Sequence, residues 1–144
     1  MSYRTQELQL QLPSSSVQDG TINILRFAEL GTSLVITRGQ LDSGETLHSH
    51  FQAQIGKLEK QVKELRASPV TAIQVGPQQS LEAVELQSQF SRGNERVYQY
   101  QLGILLADGH RLLALSYVKP QPLGEAEARH WAQIKHSLML PPLE

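Results

Sequence analysis

The chain has 144 residues, and its 13 basic and 14 acidic side chains are spread evenly for a formal net charge of −1. That length is one domain, residues 1–144, with room for a real core, and the charge balance offers no electrostatic footprint for nucleic acid or an anionic membrane. Cysteine is absent, which excludes disulfides, thiolate chemistry and cysteine-based zinc or iron–sulfur sites.

The opening Met1-Ser2-Tyr3-Arg4-Thr5-Gln6-Glu7 has neither a basic n-region nor an apolar h-region. No later stretch approaches the roughly 20 apolar residues of a membrane span, so a soluble, cytoplasmic protein is expected. Glu7 to Leu12 alternates and stops at Pro13-Ser14-Ser15-Ser16, a short first strand ended by a turn. Thr21 to Phe27 and Ser33 to Arg38 are β-branched runs split by Glu29-Leu30-Gly31 and predict a hairpin. In its first strand Ile22 and Ile24 share one side, while Asn23, Leu25 and Phe27 share the other, so both sides are apolar.

Asp42-Ser43-Gly44-Glu45 predicts a helix start, with an N-cap oxygen and a carboxylate three residues on. Leu47, Phe51, Ile55, Leu58, Val62 and Leu65 then recur every three or four residues, with Lys57, Glu59, Lys60, Lys63 and Glu64 outside the stripe. After Ser68-Pro69 come strands at Thr71 to Val75 and Leu81 to Phe90, then a long hairpin from Tyr98 to Lys119. Pro120 and Pro122 end the strands. Glu125 to Leu138 is a second amphipathic helix that should bury Ala128, Trp131, Ile134 and Leu138, and Pro141-Pro142 prevents its continuation.

The long hairpin is apolar on both faces. Asp108-Gly109 suits a type I′ turn, which puts Ala107 opposite His110 and fixes the register. Leu105/Leu112, Gly103/Ala114, Gln101/Ser116 and Gln99/Val118 then share one face, while Ile104/Leu113, Leu102/Leu115, Tyr100/Tyr117 and Tyr98/Lys119 share the other. The second set is a core. The first is smooth, mildly apolar and dotted with amides, which suits a groove receiving another chain better than a solvated face. The position of Leu81 to Phe90 depends on the next turn: three residues at Arg92-Gly93-Asn94 put Val84 and Leu86 in the core and Glu85 and Gln87 beside the groove, and two residues invert this.

The order of strands, helix, strands, helix lacks the regular alternation of a parallel sheet. It predicts an α+β fold, a twisted antiparallel sheet with two main helices. One alternative is a sheet covered on both sides by its own helices. Two helices about 10 Å wide, however, cover roughly one face of five to seven strands spaced about 4.8 Å apart. The expectation is therefore both helices on one face and a groove on the other.

Little in the sequence reads as a catalytic centre, and no enzyme, metal or organic cofactor is expected. His48 and His50 point about 200° apart on a helix and cannot share an ion in the way residues i and i+4 can. His130 and His136 flank a buried stripe and read as solvated, and His110 sits in a turn. Ser14-Ser15-Ser16 has no nucleophile-elbow context, and Gly31, Gly39, Gly44 and Gly76 form no phosphate cradle. Glu82 and Glu85 fall on opposite faces of a strand. Trp131 reads as a core anchor, and Tyr98, Tyr100 and Tyr117 as core-edge side chains with solvent-reaching hydroxyls.

Leu12-Pro13, Gln18-Asp19, Thr21-Ile22-Asn23-Ile24, Leu34-Val35-Ile36-Thr37-Arg38 ahead of Gly44-Glu45, and Tyr98-Gln99-Tyr100-Gln101 resemble the DcrB-related proteins over nearly the whole chain. In particular the chain is similar to the Eag group, the effector-associated chaperones of bacterial type VI secretion. The resemblance implies a PsbP-like fold, a homodimer, and a sheet groove that holds the N-terminal transmembrane segments of a toxin effector and aids loading onto the VgrG spike. With the charge balance giving no footprint for nucleic acid, no nucleic-acid partner and no stable membrane insertion are expected. Residue by residue it implies a client groove of Ile22 and Ile24, Val35 and Thr37, and the pair Gln99 and Gln101. The hairpin register adds Gly103, Ala114 and Ser116. Val17 departs from the family, which often has tryptophan before the Gln-Asp pair. Two other readings of the same trough are a carrier of a small apolar ligand and a structural adaptor binding a folded protein.

Overall fold

The computed structural model describes residues 2–13 and 20–140. The turn at Ser14-Ser15-Ser16, Val17, the Gln18-Asp19 pair and the stop at Pro141-Pro142 lie outside the described residues. Strands β1 (Ser2–Arg4) and β2 (Gln9–Gln11) form a separate antiparallel ribbon. The rest is built from β3 (Asn23–Phe27), β4 (Thr32–Gln40), α1 (Leu47–Gln61), β5 (Lys63–Ala67), β6 (Thr71–Val75), β7 (Leu81–Arg92), β8 (Glu95–Leu105), β9 (Arg111–Lys119) and α2 (Glu125–Ser137).

These strands make a seven-stranded sheet in the order β3-β4-β9-β8-β7-β5, with β6 also paired to β7. Every pairing is antiparallel. The sheet is open rather than closed into a barrel, and the fold is α+β as the element order implied. Long β7 accepts β6 on its first half and β5 on its second.

One face holds the main core. Leu102, Ile104, Leu115, Tyr117 and Leu34 are buried there against Trp131 of α2. Tyr100 stacks on the indole with ring centroids 5.9 Å apart and on Tyr117 at 6.2 Å. On the opposite face Phe51 of α1 packs with Val84, Leu86 and Val70. The helices therefore lie on opposite faces, not on one as expected. The physical reason is the apolar pair Val84 and Leu86: it falls beside the glutamine row and gives α1 a place to bury Phe51.

That pair was placed by the β7–β8 turn, which is the two-residue Gly93-Asn94 loop between Arg92 and Glu95. Gly93 has a φ of 62° at the first loop position, where a type II′ turn calls for glycine. The β8–β9 register agrees with the sequence reading from Tyr98↔Lys119 to Leu105↔Leu112, but its loop is not type I′. Leu106 N–H donates to Arg111 O at 2.8 Å, leaving four loop residues, and the Asp108 carboxylate accepts from the His110 and Arg111 N–H groups at 2.9 Å each. Those bonds, with Arg111 Nε at 2.6 Å, hold the Asp108 carboxyl well below the usual carboxylate range.

Helix α1 is shorter than its stripe. Thr46 is the N-cap, exchanging bonds with Ser49 at 2.9 and 3.1 Å. The Asp42–Glu45 pattern instead closes its own turn, Asp42 N–H donating to Glu45 Oε1 at 2.7 Å. Leu65 belongs to β5: Lys63 pairs with Ser91 of β7, and the strand ladder outcompetes another helical turn. On α2, Trp131 is buried and Ile134 and Leu138 are half-buried, but Ala128 is exposed. Its first turn is tied by Glu127, whose carboxylate accepts from Gly124 N–H at 3.0 Å and lies 3.4 Å from Lys119 Nζ.

Candidate functional site

Three rows of side chains cross the face that carries α1. Ile24, Val35, Ser116, Gln101 and Leu86 form one row, each opposite the next in register. Thr37, Ala114, Gly103 and Val84 form the second, and Val118, Gln99 and Ser88 the third. Three strand spacings separate Ile24 from Gln101, roughly 14 Å of sheet.

Phe51 meets this surface at Gly103. A Cβ there would lie 2.2 Å from Phe51 Cε2, so the glycine is required by close approach of the ring rather than by backbone conformation. Farther along α1 the helix stands off the sheet and leaves a groove of about 780 Å³. Phe51, Ile55 and Leu58 wall it on the helix side. Thr37, Gln99, Gln101, Ala114 and Ser116 line its floor.

The glutamines differ. Gln99 is buried, and its Nε2 donates to Ser88 Oγ at 2.9 Å. Gln101 Nε2 reaches Ser116 Oγ only at 3.5 Å, and its buried Oε1 accepts from no group. An acceptor so placed costs about 1–3 kcal/mol until a donor meets it. The groove thus offers apolar area beside a half-buried amide whose unpaired oxygen is shut off from the surface.

Of the other residues singled out in the sequence, Gly103 lies beneath Phe51 and Val35 is half-buried on the same face. Ile22, just ahead of edge strand β3, and Ile24 within it are 59% and 53% exposed, outside the groove floor. Sequence reasoning missed Phe51, Ile55 and Leu58 as groove residues. Their helical spacing is visible in the sequence, but spacing alone does not say which face of the sheet the stripe covers.

His130 is not solvated as expected. It is half-buried, its Nδ1 lies 2.8 Å from Tyr117 Oη, and its ring meets Phe27 edge-on at 4.6 Å. Burial pushes the Tyr117 hydroxyl pKa up, as it does that of Tyr100. His50 pairs with Glu45 at 3.5 Å. Among the described residues no group of three or more His, Asp or Glu side chains could hold a metal ion. No described helix is long and apolar enough to cross a membrane.

The DcrB family model matches residues 7–137. The chain belongs to the DcrB family. A crystal structure from Pseudomonas aeruginosa, of a protein of unknown function called PA94 with regulator as its suggested role, superposes on this DcrB-family chain with a TM-score of 0.74. The two share 22% identity over 99% of this chain and 98% of that one, which establishes a common fold. Among curated proteins none matches.

Proposed function

We propose that this DcrB-family protein is a chaperone or adaptor whose groove shields an apolar helical segment, and that the client is the N-terminal transmembrane segment of a type VI secretion effector on its way to the VgrG spike. The floor of Thr37, Ala114, Ser116, Gln101 and Gln99, facing Ile55 and Leu58 of α1 across the groove, carries the reading. Such a surface gives affinity by area, and a few amides limit register. A helical segment in this groove would lie against the Gln101 amide and reach its buried Oε1 only by turning that side chain, with a side-chain donor or a first-turn N–H, since its other N–H groups are already bonded. The protein would act without chemistry or a cofactor of its own.

Groove size bears on stoichiometry. A helix about 10 Å wide fills roughly 80 Å³ per ångström of length, so 780 Å³ shelters about two turns of a span some 30 Å long. The remainder would lie along the exposed Ile22 and Ile24 or in the groove of a second copy, which supports a homodimer.

Co-expression with a client bearing a 20-residue apolar N-terminal segment tests the proposal, 20 being about one span. The client should stay soluble and co-purify, and the complex should survive salt, because apolar burial is not screened. Ile55→Asp with Leu58→Asp, on the helical wall of the groove, should abolish capture. Gln99→Ala with Gln101→Ala should weaken it less, a net hydrogen bond contributing about 0.5–1.5 kcal/mol. Full capture by both folded variants would remove the groove from consideration. The groove volume also lies within the roughly 300–1,000 Å³ of small-ligand sites. Stoichiometric apolar ligand in native mass spectra, without client capture, would favour a carrier.

A further inference from the structure

A charge asymmetry at the groove points to which apolar helices it takes, an inference that rests on the groove reading above. The chain has 14 acidic residues, yet among the described residues no aspartate or glutamate lines the groove, whereas Arg38, His50, Lys57 and Arg92 do. Two of these basic side chains are already engaged. Arg38 donates to Thr21 O and Asn23 Oδ1, each at 2.8 Å, and His50 faces Glu45.

Lys57 and Arg92 are different. Both are exposed, and neither takes part in an ion pair among the described residues. The Arg92 guanidinium lies 5.5 Å from the ring centroid of Phe90, itself buried and part of the groove lining. Glu95 stands opposite Arg92 in the strand pair without closing an ion pair to it. The two cations share one end of the groove: α1 runs from Phe51 over Gly103 to Gln61, and Lys63 then pairs with Ser91, the neighbour of Arg92.

We propose that this end receives an acidic flank, so that the preferred occupant is an apolar helical segment of a partner protein bounded on one side by Asp or Glu. A smooth apolar groove holds a helix equally well in either direction. A carboxylate that must sit by Lys57 and Arg92 removes that degeneracy, because the reversed orientation carries it to the Phe51 end, where Arg38 and His50 already have partners. Charge complementarity thus supplies direction, and apolar burial supplies affinity.

The test uses the full chain and three designed clients with the same apolar segment, flanked on one side by Asp-Asp, Asn-Asn or Lys-Lys. At low salt the Asp-flanked client should be captured about threefold to tenfold better than the Lys-flanked one, the range that two partly exposed charge pairs supply. The ratio should fall as salt rises, and Lys57→Glu with Arg92→Glu should invert it. Equal capture of all three clients by the unmodified protein would overturn the acidic-flank proposal while leaving the groove in place. Capture of none would overturn both. The client series decides even if the charge-reversed protein does not fold.

Discussion

Gly103 and Phe51 form the tightest dependency at the level of single residues. A methyl group at position 103 would displace the Phe51 ring, the one buried side chain of α1. Overpacking of this kind costs about 1–3 kcal/mol, and removing the ring by Phe51→Ala costs about 3–5 kcal/mol. In urea denaturation Gly103→Ala should add little once Phe51 is already Ala, since the clash it creates is gone. Additive costs would show that the ring does not sit on the glycine. Glu127 makes a prediction about pH. The Gly124 N–H first, then Lys119, holds its carboxyl below the usual range. A depressed folded-state value contributes stability above the ordinary carboxylate pKa, and that contribution is lost as pH falls through the folded value. Glu127→Gln should therefore flatten the acid limb of the stability curve and converge with the parent at low pH, as followed by thermal melts across pH. Parallel curves would count against the assignment.

Among elements, the sheet is asymmetric although both faces are apolar. On the α2 face Leu102 is 0% exposed, and Leu102→Ala should lower stability by about 2–5 kcal/mol. On the other face Ile24 is 53% exposed along the β3 edge, and Ile24→Asp should leave the urea midpoint near that of the parent. The opposite ranking would mean that the two faces have been exchanged. Helix α1 covers only the end of its face where Phe51 reaches Val84 and Leu86, and its remaining apolar stripe walls the groove instead of closing it.

For the whole molecule, an open sheet ending in β3, with Ile22 and Ile24 uncovered and a groove that shelters about two helical turns, leaves apolar surface beyond what one chain buries. Under the proposed function the protein should scatter light as a dimer at micromolar concentration, with twice the chain's mass. A monomer that still captures client would show that one groove with its β3 edge suffices.

The sequence by itself determined both helices and the strands other than β1 and β5, the α+β class, the β8–β9 register and the unusual face bearing Gln99 and Gln101, because period-two and period-3.6 patterns are local signals. It also showed that the stripe from Leu47 to Leu58 had to be buried against something. Only the tertiary structure decided what. A single residue of turn length at Gly93-Asn94 chose which face received Val84 and Leu86, and a one-residue difference reverses every side chain of a strand. The sequence left both turn lengths open, and the balance between them is an energy of packing, not of local preference. From that choice came α1 on the groove face, Phe51 over Gly103, and a groove with a helical wall in place of a bare sheet. The end of α1 was likewise set from outside the helix, since the strand partner that recruits Lys63 lies 28 positions along the chain, at Ser91.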